Sequence, residues 1–423
     1  MMIHALLLML LAPVLVGCAG AQTPVPPAPS AIATRPRVRA ALETIRADNA
    51  WTLEQQVSIC EIPAPPFGEA KRAEEFRRRL IALGLNDARI DAEGNVIARR
   101  RGVARRPTVV LSGHLDTVFP ESTNVTVTRQ GTLFKGAGIG DDCRGLAVVL
   151  AVARAFASAG VQTQGDILFV GTVGEEGPGN LRGVRHLFTK EMKDSIDYFI
   201  SVDGTGTGLT RRAVGSHRYR VMYEGPGGHS YGAFGMPNPS HALGRAIAGI
   251  AELRVPREPK TTFNVGILEG GTSVNSIPAS AAMDVDLRSE SPAALDSLDA
   301  GFRAVLDRAL EAEHARWPES RVRLRLRIDT IGVRPAGAQS DTARIVRAGL
   351  DAARTLGFTS ELGSGSTDAN LPMSLGIPAI TIDGGGSGRG AHSLAEEYDD
   401  GERGWLGPQW AGLLVLGLVG VRQ

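Results

Sequence analysis

The feature that most constrains this chain is a set of short apolar runs, each leading into an acidic residue or a histidine. Thr108 to Leu111, Ile167 to Val170, Tyr198 to Val202 and Ala379 to Ile382 are mainly apolar and bounded by turn residues. Such runs predict strands buried on both faces of a mainly parallel sheet, with helical segments such as Leu146 to Ala157 between some of them. The first run leads into Gly113-His114-Leu115-Asp116 and the second into Gly174-Glu175-Glu176-Gly177. The third leads into Asp203-Gly204, and the fourth into a glycine loop ending at Ala391-His392-Ser393. Asp141-Asp142 stands at the start of a helix, after Gly136-Ala137-Gly138-Ile139-Gly140. Ligands of open α/β sheets sit outside the carboxyl ends of the strands, so these clusters are expected to meet at one sheet edge. Singly, each has an ordinary structural reading: a hydrogen-bonded loop pair, a solvated Glu-Glu, an Asp-Asp helix cap. Crowded together without a cation, the carboxylates would repel one another and be costly to ionise.

A chain of 423 residues suggests about two domains. From about Ser216 to Ile331 the rhythm changes to strand, helix, strand, strand, helix, strand, the order of a ferredoxin-like motif. The expected fold is therefore α/β: a mainly parallel sheet with helices on both faces, plus an inserted ferredoxin-like lid. The catalytic domain would comprise residues 36–215 and 332–423, with the lid at 216–331.

Lys plus Arg total 46 against 45 for Asp plus Glu, so no overall field favours nucleic acid, and an anionic substrate must be caught locally. Three cysteines cannot build a disulfide framework. Cys18 closes the apolar run Leu6 to Val16, which is too short to span a bilayer and reads as a signal segment. Leu15-Val16-Gly17-Cys18 resembles a bacterial lipobox. Residues 1–18 are thus expected to be a lipoprotein signal and Cys18 the lipidated residue, although the segment before the run has His4 and neither Lys nor Arg. This implies export to the periplasmic side of a bacterial membrane; cleavage to a soluble periplasmic or secreted form is the alternative. Residues 19–35, rich in Pro and Ala, read as an extended tether. Ala411 to Val421 is also too short to span a membrane and is expected to be a core helix.

Taken together, Gly113-His114-Leu115-Asp116-Thr117-Val118, Gly138-Ile139-Gly140-Asp141-Asp142, Glu175-Glu176-Gly177, Asp203-Gly204 and Ala391-His392-Ser393 resemble the co-catalytic zinc aminoacylase and carboxypeptidase family. That family includes glutamate carboxypeptidase, peptidase T and succinyl-diaminopimelate desuccinylase. The resemblance implies two Zn²⁺ per subunit, with Co²⁺ or Mn²⁺ as substitutes. His114 would bind one zinc, His392 the other, and Asp141 both, with Glu176 and Asp203 completing the two shells. Asp116 would orient His114. Glu175 would be the general base for a bridging hydroxide. Three ligand carboxylates and one hydroxide balance two Zn²⁺. The chain departs from the family at Cys143-Arg144, where Lys, often followed by Gly, is usual.

In the inserted segment, Gly227-Gly228-His229-Ser230 resembles the family's lid histidine, which stabilises the oxyanion. Asn275 and Arg288 resemble residues that hold a substrate carboxylate. Gly365 to Ala369 and Gly384 to Gly386 resemble loops lining the substrate site, without a chemical step for Thr367 or Asp368. His186, His217, His241 and Cys60 receive no role. The implied activity is hydrolysis of an amide bond in small peptides with a free carboxylate, because Asp203-Gly204 resembles the peptidase T branch. Hydrolysis of N-acyl or carbamoyl amino acids, or a carboxypeptidase activity, is the alternative, and homodimerisation through the lid is a further implication. A non-catalytic binding lipoprotein would be expected to lack a ligand or the base, and none is missing. A redox sensor would require Cys60 and Cys143 to meet in space.

Overall fold

The protein is described by a computed structural model covering residues 26–422. The signal and lipidation reading of residues 1–18, Cys18 included, lies outside the described residues.

The larger unit is built on a nine-stranded sheet. Its main strands are β1 (Val96–Arg100), β2 (Arg105–His114), β3 (Gly165–Thr172), β4 (Tyr198–Val202) and β5 (Leu209–Ala213). After Ala213 the chain makes an excursion through β6 (Gly215–Glu224), β7 (Thr261–Gly270), β8 (Ser280–Ser289) and β9 (Arg325–Arg334). It returns to the large sheet with the short strands Gly337–Ala338 and Leu362–Gly365, which pair with β5, and then with β10 (Ala379–Ile382). The spatial order is β1-β3-β2-β4-β10-β5. The four central strands β3, β2, β4 and β10 run parallel, and the outer pairings β1–β3 and β10–β5 are antiparallel. Every residue of β3 and β10 is buried, so neither strand alternates.

Helices cover both faces. Those that position the site are α1 (Asn49–Cys60), α2 (Cys143–Ser158) and, after two lid helices α3 (Pro239–Ala251) and α4 (Pro292–Arg316), the final α5 (Leu406–Val419). Every α5 residue from Gly407 to Val419 is buried, which explains its apolar character all round. No helix among the described residues is long and apolar enough to cross a membrane.

Two sequence expectations change here. The tether reading of residues 19–35 does not hold from Pro26 onward. Ile32 is fully buried, Pro29 packs against Gly417, and Arg344 donates to the Pro26 carbonyl at 2.7 Å. A Pro/Ala-rich segment can dock where an apolar helix such as α5 offers a surface, which composition alone does not reveal. Cys60, given no role, and Cys143, at the departure from the family, do meet in space: they form a disulfide with Cα atoms 5.4 Å apart.

The excursion is a four-stranded antiparallel sheet in the order β7-β8-β6-β9. Helices α3 and α4 cover one face, and a separate core forms around Tyr223, Val285 and Phe302. The inward residues of β8 (Met283, Val285, Leu287) alternate with half-buried Asp284, Asp286 and Arg288, the pattern of a sheet with one packed face.

Candidate metal centre

Each predicted ligand sits where a parallel strand runs out. His114 is the last residue of β2, Glu175 and Glu176 follow β3, and Asp203 follows β4. Asp141 precedes the N-cap of α2, where Asp142 accepts from the Gly145 N–H at 3.0 Å. The Asp141-Asp142 peptide bond is cis.

The carboxylate of Asp141 stands between the two histidines. Its Oδ1 lies 2.9 Å from His114 Nε2, and its Oδ2 lies 3.0 Å from His392 Nε2. His392 Nε2 is also 2.9 Å from Glu176 Oε1, and His114 Nε2 is 4.0 Å from Asp203 Oδ1. Two ligand groups result, His114/Asp141/Asp203 and Asp141/Glu176/His392, sharing one aspartate. Imidazole nitrogens with carboxylate oxygens are a donor set that suits zinc.

Electrostatics support a dication here. Burial and the Asp141 charge hold Asp203 well above the usual carboxylate range. Burial pushes Glu175 up to about 8, against the opposing pull of Arg334. Hydrogen bonds to Asp141 and Glu176 raise His392 to about 10. For Asp141 burial acts upward, but the two histidines win and hold it well below its ordinary value. The fold thus gathers carboxylates around two histidines that they bias toward the cationic form, a setting that favours positive charge.

Asp116 meets His114 through its main chain, and its carboxylate Oδ1 lies 3.7 Å from the same ring nitrogen, Nδ1. His114 Nδ1 donates to its backbone carbonyl at 3.0 Å, which leaves Nε2 free to coordinate. The Asp116 carboxylate also accepts from the backbone N–H groups of Glu175 (3.0 Å) and Glu176 (2.8 Å). It therefore orders the Glu-Glu turn, while its main chain orients the histidine.

Two residues that sequence reasoning passed over complete the centre. Arg334, at the end of β9, donates from Nη1 to Glu175 Oε1 at 3.0 Å and from Nη2 to the Glu175 carbonyl. Glu396 accepts from the N–H groups of Gly138 (2.8 Å), Gly140 (2.8 Å) and Asp141 (2.9 Å), fastening the His392 loop to the Asp141 loop. Burial pushes Glu396 up to about 7 despite those bonds. A lone Arg before Pro335 carries no motif signal, nor does a Glu four residues after His392.

The lid residues divide. His229 and Asn275 line one cavity of about 700 Å³, together with Arg220, Glu269 and Ser280. No residue of the metal cluster lines it. His229 Nδ1 accepts from the N–H groups of Tyr231 and Gly232, both at 3.3 Å, which places the ring proton on Nε2. Arg288 stands apart. It pairs with Asp286 at 2.6 Å near the end of β8 that lies beside Gly215, whereas Ser280, at the cavity, is the first residue of the strand. Eight residue steps separate Arg288 from Ser280, about 27 Å at ~3.4 Å each, and six steps, about 20 Å, separate it from Ala282, the cavity-lining residue of the strand nearest to it. Within this subunit Arg288 therefore does not share a carboxylate site with His229 and Asn275.

A mainly parallel sheet thus carries a two-histidine, shared-carboxylate cluster suited to metal, with a smaller antiparallel sheet inserted in the chain. The model of Peptidase family M20/M25/M40 matches residues 110–403, and the chain belongs to that family. It is 31% identical over 254 residues to the succinyl-diaminopimelate desuccinylase of Burkholderia pseudomallei, which covers 54% of this chain and 66% of that protein. A tripeptidase of Staphylococcus aureus superposes with a TM-score of 0.71 at 20% identity, covering 87% of this chain and 98% of the other. The dinuclear metal binding peptidase YXEP of Bacillus subtilis gives 0.63 at 18%, covering 88% and 99%. The chain is thus a hydrolase of a metallopeptidase family, with residues suited to holding metal ions.

Proposed function

We propose that this chain is a di-zinc exopeptidase that cleaves an amide bond in small peptides bearing a free carboxylate. The observation that carries the reading is Asp141, whose two carboxylate oxygens each face a different histidine, at 2.9 and 3.0 Å. His114, Asp141 and Asp203 would hold one zinc, and Asp141, Glu176 and His392 the other; Co²⁺ or Mn²⁺ could replace it. A metal pair would supply an activated water and polarise the scissile carbonyl.

Glu175 takes the proton from the attacking water and returns it to the leaving nitrogen. It is buried, and Arg334 fixes one of its oxygens. His229, protonated on Nε2, offers an N–H to the developing oxyanion once the lid approaches. Asn275 lies beside it in the same cavity. N-acyl or carbamoyl amino acids, cleaved by the same chemistry, are the second substrate reading, and likeness to the desuccinylase favours it.

We also propose export and an anchor at Cys18. The buried Cys60–Cys143 bond supports an oxidising compartment independently of the N-terminal motif. A homodimer through the lid is supported by β7, an edge strand with exposed Ile267 and Leu268.

The test is a panel of dipeptides, tripeptides and N-acyl amino acids, assayed with zinc-loaded protein lacking residues 1–25. Truncation at 35 would strip Ile32 from the core. Hydrolysis that requires two equivalents of metal and a free substrate carboxylate is expected. Turnover unaffected by chelation would overturn the reading. Radioactive palmitate incorporated by wild type and not by Cys18→Ser would support the anchor.

A further inference from the structure

Cys143 and Arg144 directly follow the Asp141-Asp142 pair, and the chemistry above uses neither. Both are fully buried. Cys143 opens α2 and is bonded to Cys60, the last residue of α1, across 83 positions of sequence. Arg144 points three donors at three different parts of the chain. Nε donates to the Gly384 carbonyl at 2.8 Å, Nη2 to the Gly404 carbonyl at 2.7 Å, and Nη1 to Gln56 Oε1 at 3.2 Å. Its guanidinium lies 5.0 Å from the ring centroid of Tyr398. Gln56, on α1, donates in turn to the Ile139 carbonyl at 2.8 Å, two residues before Asp141. Gly384 begins the loop that leads to His392.

These bonds form one connected frame. Helix α1 is tied covalently to the residue that starts α2, and by Gln56 to the loop that presents Asp141. Arg144 then joins that frame to the segment leading to His392. The hydrogen-bond partners of its buried cation are neutral carbonyl and amide oxygens. Burying a charge on such partners is costly, and an apolar residue of similar volume would serve stability at least as well. The arrangement has the form of preorganisation, in which ligand-bearing loops are fixed before the ion arrives.

We propose that the Cys60–Cys143 disulfide and Arg144 are positioning elements of the metal centre, holding Asp141 and the His392 segment against α1 in register with His114. The proposal rests on the metal-centre reading above. It assigns the departure at Cys143-Arg144 to a structural brace.

The experiment compares full-length wild type with Cys60→Ala/Cys143→Ala and with Arg144→Lys, titrating Co²⁺ alone into metal-free protein. Alanines are chosen because a freed thiolate could itself bind the ion. Wild type is expected to take two equivalents. Both variants should bind Co²⁺ about 10- to 100-fold more weakly and show displaced visible absorption bands. For peptide hydrolysis at saturating metal, kcat should fall with KM nearly unchanged. A brace that serves stability only would lower the melting temperature of the metal-free variants while leaving Co²⁺ affinity and spectrum at wild-type values, and that result overturns the proposal. Should the double alanine variant not fold, Arg144→Lys keeps the disulfide and the charge and reads the same quantities. Wild type that binds no Co²⁺ overturns the metal-centre reading and this one together. Two tight equivalents in all three proteins overturn the brace alone.

Discussion

Arg334 grips Glu175 twice, by its carboxylate at 3.0 Å and by its backbone carbonyl, and the two residues belong to different structural units. Glu175 follows β3 of the large sheet, while Arg334 ends β9, the strand by which the chain leaves the lid. Glu175 is therefore fastened to the root of the lid, and both side chains are nearly out of solvent, at 6% and 5% exposure. Arg334→Ala removes both hydrogen bonds from the buried Glu175 and is expected to cost about 1–3 kcal/mol in chemical denaturation. Because Arg334 pulls the Glu175 pKa downward, its removal should also move the acid limb of the kcat/KM profile to higher pH. An unmoved acid limb would show that the pair is structural only.

Glu175 itself is the sharpest point of attack. Its neighbour Glu176 contacts His392, whereas Glu175 spends one oxygen on Arg334. Glu175→Gln should therefore keep two metal equivalents and the wild-type fold, while kcat falls by about 10²- to 10⁴-fold, the usual worth of a positioned general base. Metal analysis and turnover on the same sample check this. Undiminished turnover with full metal content would remove the assignment.

The protonation of the metal-free cluster has a definite sign. Glu175 is raised from 4.5 to about 8 by burial. Its contribution to stability is full below the lower value and is lost as pH climbs through the upper one. His392 is raised from 6.5 to about 10 by Asp141 and Glu176, so its contribution is full below 6.5 and is lost toward 10. Both trends run the same way. The melting temperature of chelator-treated protein should fall from about pH 5 to about pH 9, and zinc should stabilise most at the alkaline end, because binding displaces these protons. A metal-free melting temperature that is flat or rising over that interval would contradict the cluster's electrostatics.

Much of this site could be read before any coordinates, for a physical reason. His114, Glu175, Glu176 and Asp203 lie within a few residues of strand ends, and parallel topology delivers all strand ends to one edge. Local pattern therefore implied tertiary adjacency. Arg334, Glu396 and the Cys60–Cys143 bond have no such link. Arg334 meets Glu175 across 159 positions, and Glu396 meets Gly138 across 258. Only the folded path brings these partners together. The family resemblance likewise grouped Arg288 with His229 and Asn275, but it carries no information about which end of a long strand a residue occupies. The packing of Pro26 to Arg35 escaped because docking depends on the apolar face of α5, nearly four hundred residues away.

The separation of His229 from the metal cluster leads to the last prediction. His229 and Asn275 share a cavity within the lid, and no metal-cluster residue reaches it. The edge strand β7 beside that cavity presents Ile267 and Leu268 to solvent, at 51% and 60% exposure. If two lids pair along that edge, the His229 of one subunit can serve the centre of the other. His229→Ala and Glu175→Gln would each be nearly inactive alone. Mixed after dissociation and reassociation, they would form heterodimers in which one centre has both wild-type groups. Random pairing of a symmetric dimer then restores about a quarter of wild-type activity. Sedimentation equilibrium on the same mixture would report whether a dimer is present. A dimer without recovered activity would place His229 in the service of its own subunit, reached by closure of the lid. Recovery to about a quarter would establish the shared site, and Ile267→Lys/Leu268→Lys should then abolish recovery and dimer together while leaving the metal content of each subunit unchanged.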